Sequence, residues 1–203
     1  MSIEALLLRL DRYLNEFPEE HVSVNTFSRF LRRHPDAFER TCIRGHVTAS
    51  GWILSHDYES VLLLHHRKLG LWVQPGGHCD GDSDVLGVSK KEIEEELGLS
   101  DLILLHDGAL FDIDIHPIPA RPGEPAHHHF DVRFAWRVKE ESKFQTNEES
   151  LGARWFSVRE IALDMKAQHW DASVVRMAQK SIRLFLGPIT QHKSLGVFHA
   201  EFK

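Results

Sequence analysis

The stretch from Gly76 to Leu99, GGHCDGDSDVLGVSKKEIEEELGL, constrains this chain more than any other. It reads as a glycine turn, an acidic loop and a helix from about Asp84 to Leu97. Asp82, Ser83 and Asp84 are the N-cap candidates. Leu86, Ile93 and Leu97 form the apolar stripe, and Gly98 is the C′ residue that stops the helix. Glu92, Glu95 and Glu96 stand at i, i+3 and i+4, so all three carboxylates fall on one side. Packed together they repel, and a divalent cation would remove that cost. Hard oxygen donors of this kind suit Mg²⁺ or Mn²⁺ rather than zinc.

Around this segment the hydrophobic periods alternate between helix and strand. Leu6, Leu7, Leu10, Tyr13, Leu14 and Phe17 recur at helical spacing until Pro18 stops the run. A second short helix is expected from about Val24 to Arg33, burying Phe27, Phe30 and Leu31. Residues 1–40 therefore read as an N-terminal helical extension, with plain packing as its simplest role and a dimer contact or part of a substrate lid as alternatives. Residues 41–203 form the main domain. Gly45–Leu54 is a strand, and Ser60 to His65 its partner. The apolar run Val61-Leu62-Leu63-Leu64 fits a strand buried on both faces. Phe111 to His116 alternates, placing Asp112, Asp114 and His116 on one face. Pro117 to Pro125 is too proline-rich for helix or central strand.

His127 to Phe134 alternates again. Phe130, Val132 and Phe134 face the core, and His127, His129, Asp131 and Arg133 line the opposite face. Two polar strand faces joined by a loop would make one wall of a cleft, with His129, Asp131 and Arg133 as substrate-binding candidates. Arg133 would grip an anion, unless Asp131 pairs with it and the group merely shapes the cleft. The triple histidine does not by itself make a zinc site, because only His127 and His129 share a face. Ser157-Val158-Arg159-Glu160 is a capping box opening a helix. The last long helix, about Ala172 to Leu186, buries Val174, Val175, Met177, Ala178, Ile182 and Phe185.

Composition narrows the class. The net charge of −6 with no lysine-arginine run argues against a nucleic-acid polymer as partner, though not against a small phosphate ester. The two cysteines, Cys42 and Cys79, make no disulfide framework, which points to the reducing cytoplasm. The first residues lack a signal-peptide pattern, and no apolar run approaches membrane-spanning length. Fifteen histidines is the odd count.

From Gly77 to Leu99 the chain resembles the Nudix hydrolases. Their signature runs from a glycine through a glutamate to Arg-Glu, an aliphatic residue, any residue, Glu-Glu, any residue, glycine and an aliphatic residue. Gly77, Glu92, Ile93, Glu95, Glu96, Gly98 and Leu99 match. The first glutamate is replaced by Ser83 and the arginine by Lys91. The approach Leu71-Trp72-Val73-Gln74-Pro75-Gly76-Gly77-His78 and the segment Arg154-Trp155-Phe156 are also similar to the family, extending the resemblance to roughly residues 45–165. It implies an α/β fold with a mixed sheet sandwiched between helices. It also implies hydrolysis of a diphosphate linkage in a nucleoside diphosphate derivative. Glu92, Glu95, Glu96 and the Gly76 carbonyl would hold the metal. The water-activating base would be a box glutamate or a later loop glutamate, Glu149 first and Glu148 second. Ser83 and Lys91 stand where the family's supporting pair would brace the box. Because both changed together, no charge is orphaned, but a lysine cannot offer a planar fork. Two other classes stay open: a non-catalytic nucleotide-binding or sensor domain, and an isomerase of the same fold that would need Cys79.

Overall fold

The computed structural model describes residues 2–140, 143–147, 150–164 and 169–187. Helices α1 (Ile3–Glu16) and α2 (His21–Arg33) come first, joined by a 3₁₀ turn at Pro18–Glu20. Ser2 caps α1 by accepting from the Ala5 amide at 3.4 Å. Strands β1 (Gly45–Leu54), β2 (Ser60–His66), β3 (Trp72–Val73) and β4 (Gly76–His78) lead to α3 (Val85–Leu97). After it come β5 (Leu102–Leu104), β6 (Asp112–Ile118), β7 (His127–Val138), β8 (Ser150–Ser157), α4 (Val158–Ala162) and α5 (Ala172–Ser181), which runs into a π turn at Ile182–Leu186.

The strands form one mixed sheet in the order β3-β2-β1-β7-β5, with β4 also pairing β1, β6 pairing β7 and β8 pairing β2. The central pair, β1 with β7, is parallel from Gly45↔His128 to Leu54↔Arg137. Every residue of β1 is buried, as a parallel central strand with both faces covered requires. One face carries α3 together with α1 and α2, over a core that includes Leu6, Leu10, Phe17, Phe27, Val47, Ile93, Phe134 and Trp136. The other carries α4 and α5 over Trp52, Leu63, Phe111, Val174 and Met177. Helices on both faces of a mixed sheet give the expected α/β sandwich. The N-terminal helices are not peripheral to it: Phe30 stacks on Phe130 with ring centroids 3.8 Å apart. Fully burying Phe17 or Phe27 contributes about 1.5–3 kcal/mol each relative to exposure.

Local expectations hold where periodicity decides them. Gly98 ends α3 in the left-handed region at φ 68°. The Ser157 hydroxyl accepts from the Glu160 amide at 3.3 Å, opening α4. Two details differ. Asp84 makes no side-chain cap bond, and Asp82 instead accepts from the Asp84 amide at 2.8 Å, an Asx turn before the helix. The proline-rich segment is partly strand: β6 continues to Ile118, and Arg121 and Glu124 bridge each other in the tip. Pro117 is tolerated because among the described residues β6 pairs only with β7, so its missing N–H breaks no inner ladder. Among the described residues, no helix is long and apolar enough to cross a membrane.

Candidate functional site

Helix α3 is fixed to β1 by contacts with little tolerance. Gly51 has no side chain, and a Cβ there would lie 2.3 Å from Cδ1 of Ile93. The Ser89 hydroxyl donates to the Ser50 carbonyl at 2.8 Å and accepts from the Trp136 indole N–H at 3.1 Å. This seating sets the rotation of the helix, and so the direction of its carboxylates.

Glu92 and Glu96 converge on the turn made by β4. The Gly76 amide donates to Oε2 of Glu96 at 2.9 Å. A Cβ on Gly77 would stand 2.6 Å from the Glu92 carboxylate, whereas a Cβ on Gly76, on the opposite face of the strand, would stand 2.2 Å from the Ser50 hydroxyl. Close approach therefore requires the glycine at position 76, where a Cβ would also meet the Ser50 backbone, whereas a side chain at 77 would push the Glu92 carboxylate aside. Glu96 is only 8% exposed. Glu95 is exposed, and the Lys91 ammonium lies 3.4 Å from it. Lys91 thus forms an exposed i, i+4 ion pair with a box glutamate.

These groups open onto a cavity of about 750 Å³. Its lining includes Arg40, Lys68, Lys91 and Arg121 as cations, and Leu69 and Leu71 as apolar surface. Arg40 is braced by a two-point ion pair with Asp80, one of its bonds at 2.8 Å. Asp114, His116, His129, Asp131 and Arg133 form the facing wall. The β6–β7 register explains that wall: Asp112, Asp114 and His116 lie opposite Arg133, Asp131 and His129.

Behind the wall lies a buried charge network. Arg133, 3% exposed, donates to Asp131 at 2.7 Å and to Asp112 at 3.1 Å, and stands 3.5 Å from Asp114. Arg176 grips Asp112 with two bonds at 2.9 and 2.8 Å and reaches Asp114 at 3.1 Å. Lys180 reaches Asp112 at 2.6 Å and Glu20 at 2.5 Å, and bonds the Tyr13 hydroxyl. Burial raises the pKa of Asp112, but hydrogen bonds and charge from Arg176, with Lys180 and Arg133, outweigh it and hold the carboxyl below its ordinary value. Asp114 is likewise held well below the carboxylate range, by His116, Arg133 and Arg176 against the cost of burial. Burial works against the Arg133 charge, but Asp131, Asp112 and Asp114 more than offset it.

The sequence placed Asp112 on an open polar face; it is fully buried, because α5 lies across β6 and supplies its cations. His129, Asp131 and Arg133 do share one face, and Thr48 and Ser50 of β1 donate to Asp131 at 2.8–2.9 Å. Ser83 is half-buried beside the box loop. Glu148 and Glu149 lie outside the described residues. Sequence reasoning missed His46, Thr48 and Ser50, although their alternation within GHVTAS was a legible sign of a polar face inside a buried strand. It also missed the half-buried Arg176 and the buried Lys180, whose ion pairs to Asp112 no local pattern announces.

Comparison with known proteins agrees with this geometry. The family model described as NUDIX domain matches residues 44–177. An Ap4A hydrolase binary complex from C. elegans superposes with a TM-score of 0.52 at 16% identity, over 66% of this chain and 93% of that one. The E. coli dihydroneopterin triphosphate pyrophosphohydrolase gives 0.51 at 17% identity, over 66% and 92%. A NUDIX-family hydrolase from Clostridium perfringens gives 0.50 at 23% identity, over 68% and 97%. No curated protein sequence matches the chain. At these identities the structures speak for the fold, and the family model spans most of the chain, box and cleft wall included. The chain belongs to the Nudix hydrolase family.

Proposed function

We propose that the protein hydrolyses a diphosphate linkage in a nucleoside diphosphate derivative, using Mg²⁺ or Mn²⁺. The observation that carries this is the convergence of Glu92 and Glu96 on the Gly76–Gly77 turn at the edge of a cavity lined by several cations. The donor set fits a hard divalent ion. It consists of carboxylates on one helix face, two of them against the Gly76–Gly77 backbone, and by the family resemblance the Gly76 carbonyl would join them. When bound, such an ion neutralises a diphosphate and orients a water in line with the breaking bond.

The chain's own groups do the rest. Gly76 N–H holds Glu96 in place, and Lys91 steadies Glu95. Arg40, Lys68 and Arg121 would receive phosphate oxygens across the cavity, and Leu69 and Leu71 offer apolar surface to the group beyond them. A box glutamate or Glu149 takes the proton from water. His129 and Asp131 face the substrate as wall groups. Arg133, bound to three aspartates, shapes that wall rather than gripping the anion. Cys79 is buried, its thiol pushed up by burial, and it does not line the cavity, so nothing favours the isomerase chemistry. Two free cysteines suit a cytoplasmic enzyme.

The test is a screen of nucleotide sugars, dinucleotides and nucleoside triphosphates with Mg²⁺ and with Mn²⁺, scoring phosphate after phosphatase coupling. Glu96→Gln should lower kcat by at least about 100-fold, the lower end of what a positioned acid-base group contributes, with the fold intact. Near wild-type turnover in that variant at saturating Mg²⁺ would refute the site. Tight nucleotide binding without turnover in the wild type would favour a sensor domain.

A further inference from the structure

A second group of chemistry-bearing side chains sits beside the acidic site. His46 on β1 is in direct register with His129 on β7, and His127 is on the same face of β7. His78 enters from β4, opposite Thr48 on the other side of β1. The rings of His46 and His78 are 4.9 Å apart, those of His46 and His127 4.8 Å, of His46 and His129 4.8 Å, and of His78 and His129 5.0 Å. One ligand nitrogen from each of His46, His127 and His129 lies within 4.8 Å of the others.

Packing alone does not account for this cluster. Six buried side-chain nitrogens or oxygens among the described residues have no hydrogen-bond partner, and four of them are here: both ring nitrogens of His46, and Nε2 of His127 and His129. Leaving a buried polar atom unsatisfied costs about 1–3 kcal/mol, so native interiors keep few of them and seldom concentrate them. His127 is also set up as a ligand. Its Nδ1 is 2.9 Å from the Pro125 carbonyl, which fixes the N–H there and leaves the Nε2 lone pair facing the cluster. The Glu124 carboxylate stands 3.6 Å from that Nε2. Burial, with the neighbouring histidines, lowers His46 to about 4 and His129 to about 2, so both are neutral near pH 7, the form that ligates metal.

We infer that His46, His127 and His129 bind a first-row transition ion of the zinc type, with His78 or Glu124 available as a fourth donor. Imidazole donors select this class, whereas the oxygen donors of the box select Mg²⁺ or Mn²⁺, so the two sites sort different ions. With Zn–N bonds of about 2.0–2.1 Å, tetrahedral donors lie roughly 3.3 Å apart, so the rings close up by less than an ångström each on loading. The ion would staple β1 to β7 and place a positive charge at the cleft wall, where His78 and His129 already face the cavity. The inference stands independently of the hydrolase reading.

The test titrates Zn²⁺ into the full chain, stripped with chelator, against a chromogenic indicator in excess Mg²⁺. Wild type, Glu96→Gln and His128→Ala, the last removing the exposed histidine between the ligands, should each bind one zinc with equal affinity. His46→Ala, His127→Ala and His129→Gln should weaken it by more than about 100-fold, beyond the roughly 10–100-fold that an outer-shell partner is worth. Co²⁺ in the stripped wild type should give a visible absorption band that the His129→Gln variant lacks. Failure of the wild type to take up zinc would overturn the site. Equal affinity in the folded members of the ligand series would do the same. Loss of zinc in Glu96→Gln alone would reassign the ion to the box. Should His46→Ala not fold, His127→Ala at the start of β7 and the conservative His129→Gln give the decision.

Discussion

Replacing Arg133 by Met separates a structural role from a ligand role for the cleft wall. The three carboxylates that Arg133 holds are not equally dependent on it. Asp112 would keep Arg176 and Lys180, and Asp114 would keep Arg176 and His116. Among the described residues, Asp131 would keep only the hydroxyl bonds from Thr48 and Ser50. The variant therefore strands essentially one buried carboxylate, since Asp131 is 2% exposed. Removing one partner of a buried ion pair costs about 3–5 kcal/mol. In a chain of this size that lowers Tm by roughly 6–20 °C, at about 2–4 °C per kcal/mol. Adding Asp131→Asn removes the stranded charge while keeping a hydrogen-bonding side chain, so the double variant should regain at least half of the loss. Such a coupling is readable in a thermal-denaturation double-mutant cycle. KM of the folded Arg133→Met protein should stay within a factor of two or three of wild type. A Tm within about 2 °C of wild type, with KM raised more than roughly 10-fold, would refute the reasoning and make Arg133 a substrate ligand.

Three further outcomes follow from the same geometry. Gly77→Ala should displace Glu92 and shift the Mg²⁺ activation curve to higher concentration, and an unshifted curve would contradict the placement of that carboxylate. Asp112 is held below its ordinary value, so its stabilisation is present above about pH 3.9 and is lost as pH falls through the depressed value. Asp112→Asn should accordingly start less stable at pH 7 and fall less below pH 4, and melting curves parallel to wild type would count against the network. Ser83→Glu with Lys91→Arg, restoring the family's bracing pair, should leave activity unchanged or raised, with coupling between the two; a strictly additive and inactive double variant would sink that expectation.

What the sequence disclosed follows the reach of its signals. The box carboxylates share a face because of i, i+3, i+4 spacing, and the alternation of β7 sorts Phe130 from Asp131 within two residues. Both are local facts. The partners of those side chains are not local. His46 meets His129 through a parallel pairing that joins strands far apart in the chain, and no short-range pattern specifies which strand lies beside which. Lys180 sits among the residues of an apolar helical stripe, where a lysine reads as solvated. It is buried because Asp112 and Glu20 wait on either side of it, from β6 and from the turn before α2.

That lysine has a practical consequence for anyone wishing to trim or transplant this protein. The family likeness begins at residue 44 and stops at residue 177. Tyr13 and Glu20 lie before its start, and Lys180 and Ser181, the last receiving the Trp52 indole N–H at 2.8 Å, lie after its end. A chain cut to the likeness would leave Asp112 without one of its cations, Trp52 without its acceptor, and Phe130 uncovered where Phe27 and Phe30 now rest. A cut that keeps these contacts has to leave Tyr13, Glu20, Phe27 and Phe30 on one side and Lys180 and Ser181 on the other within the chain.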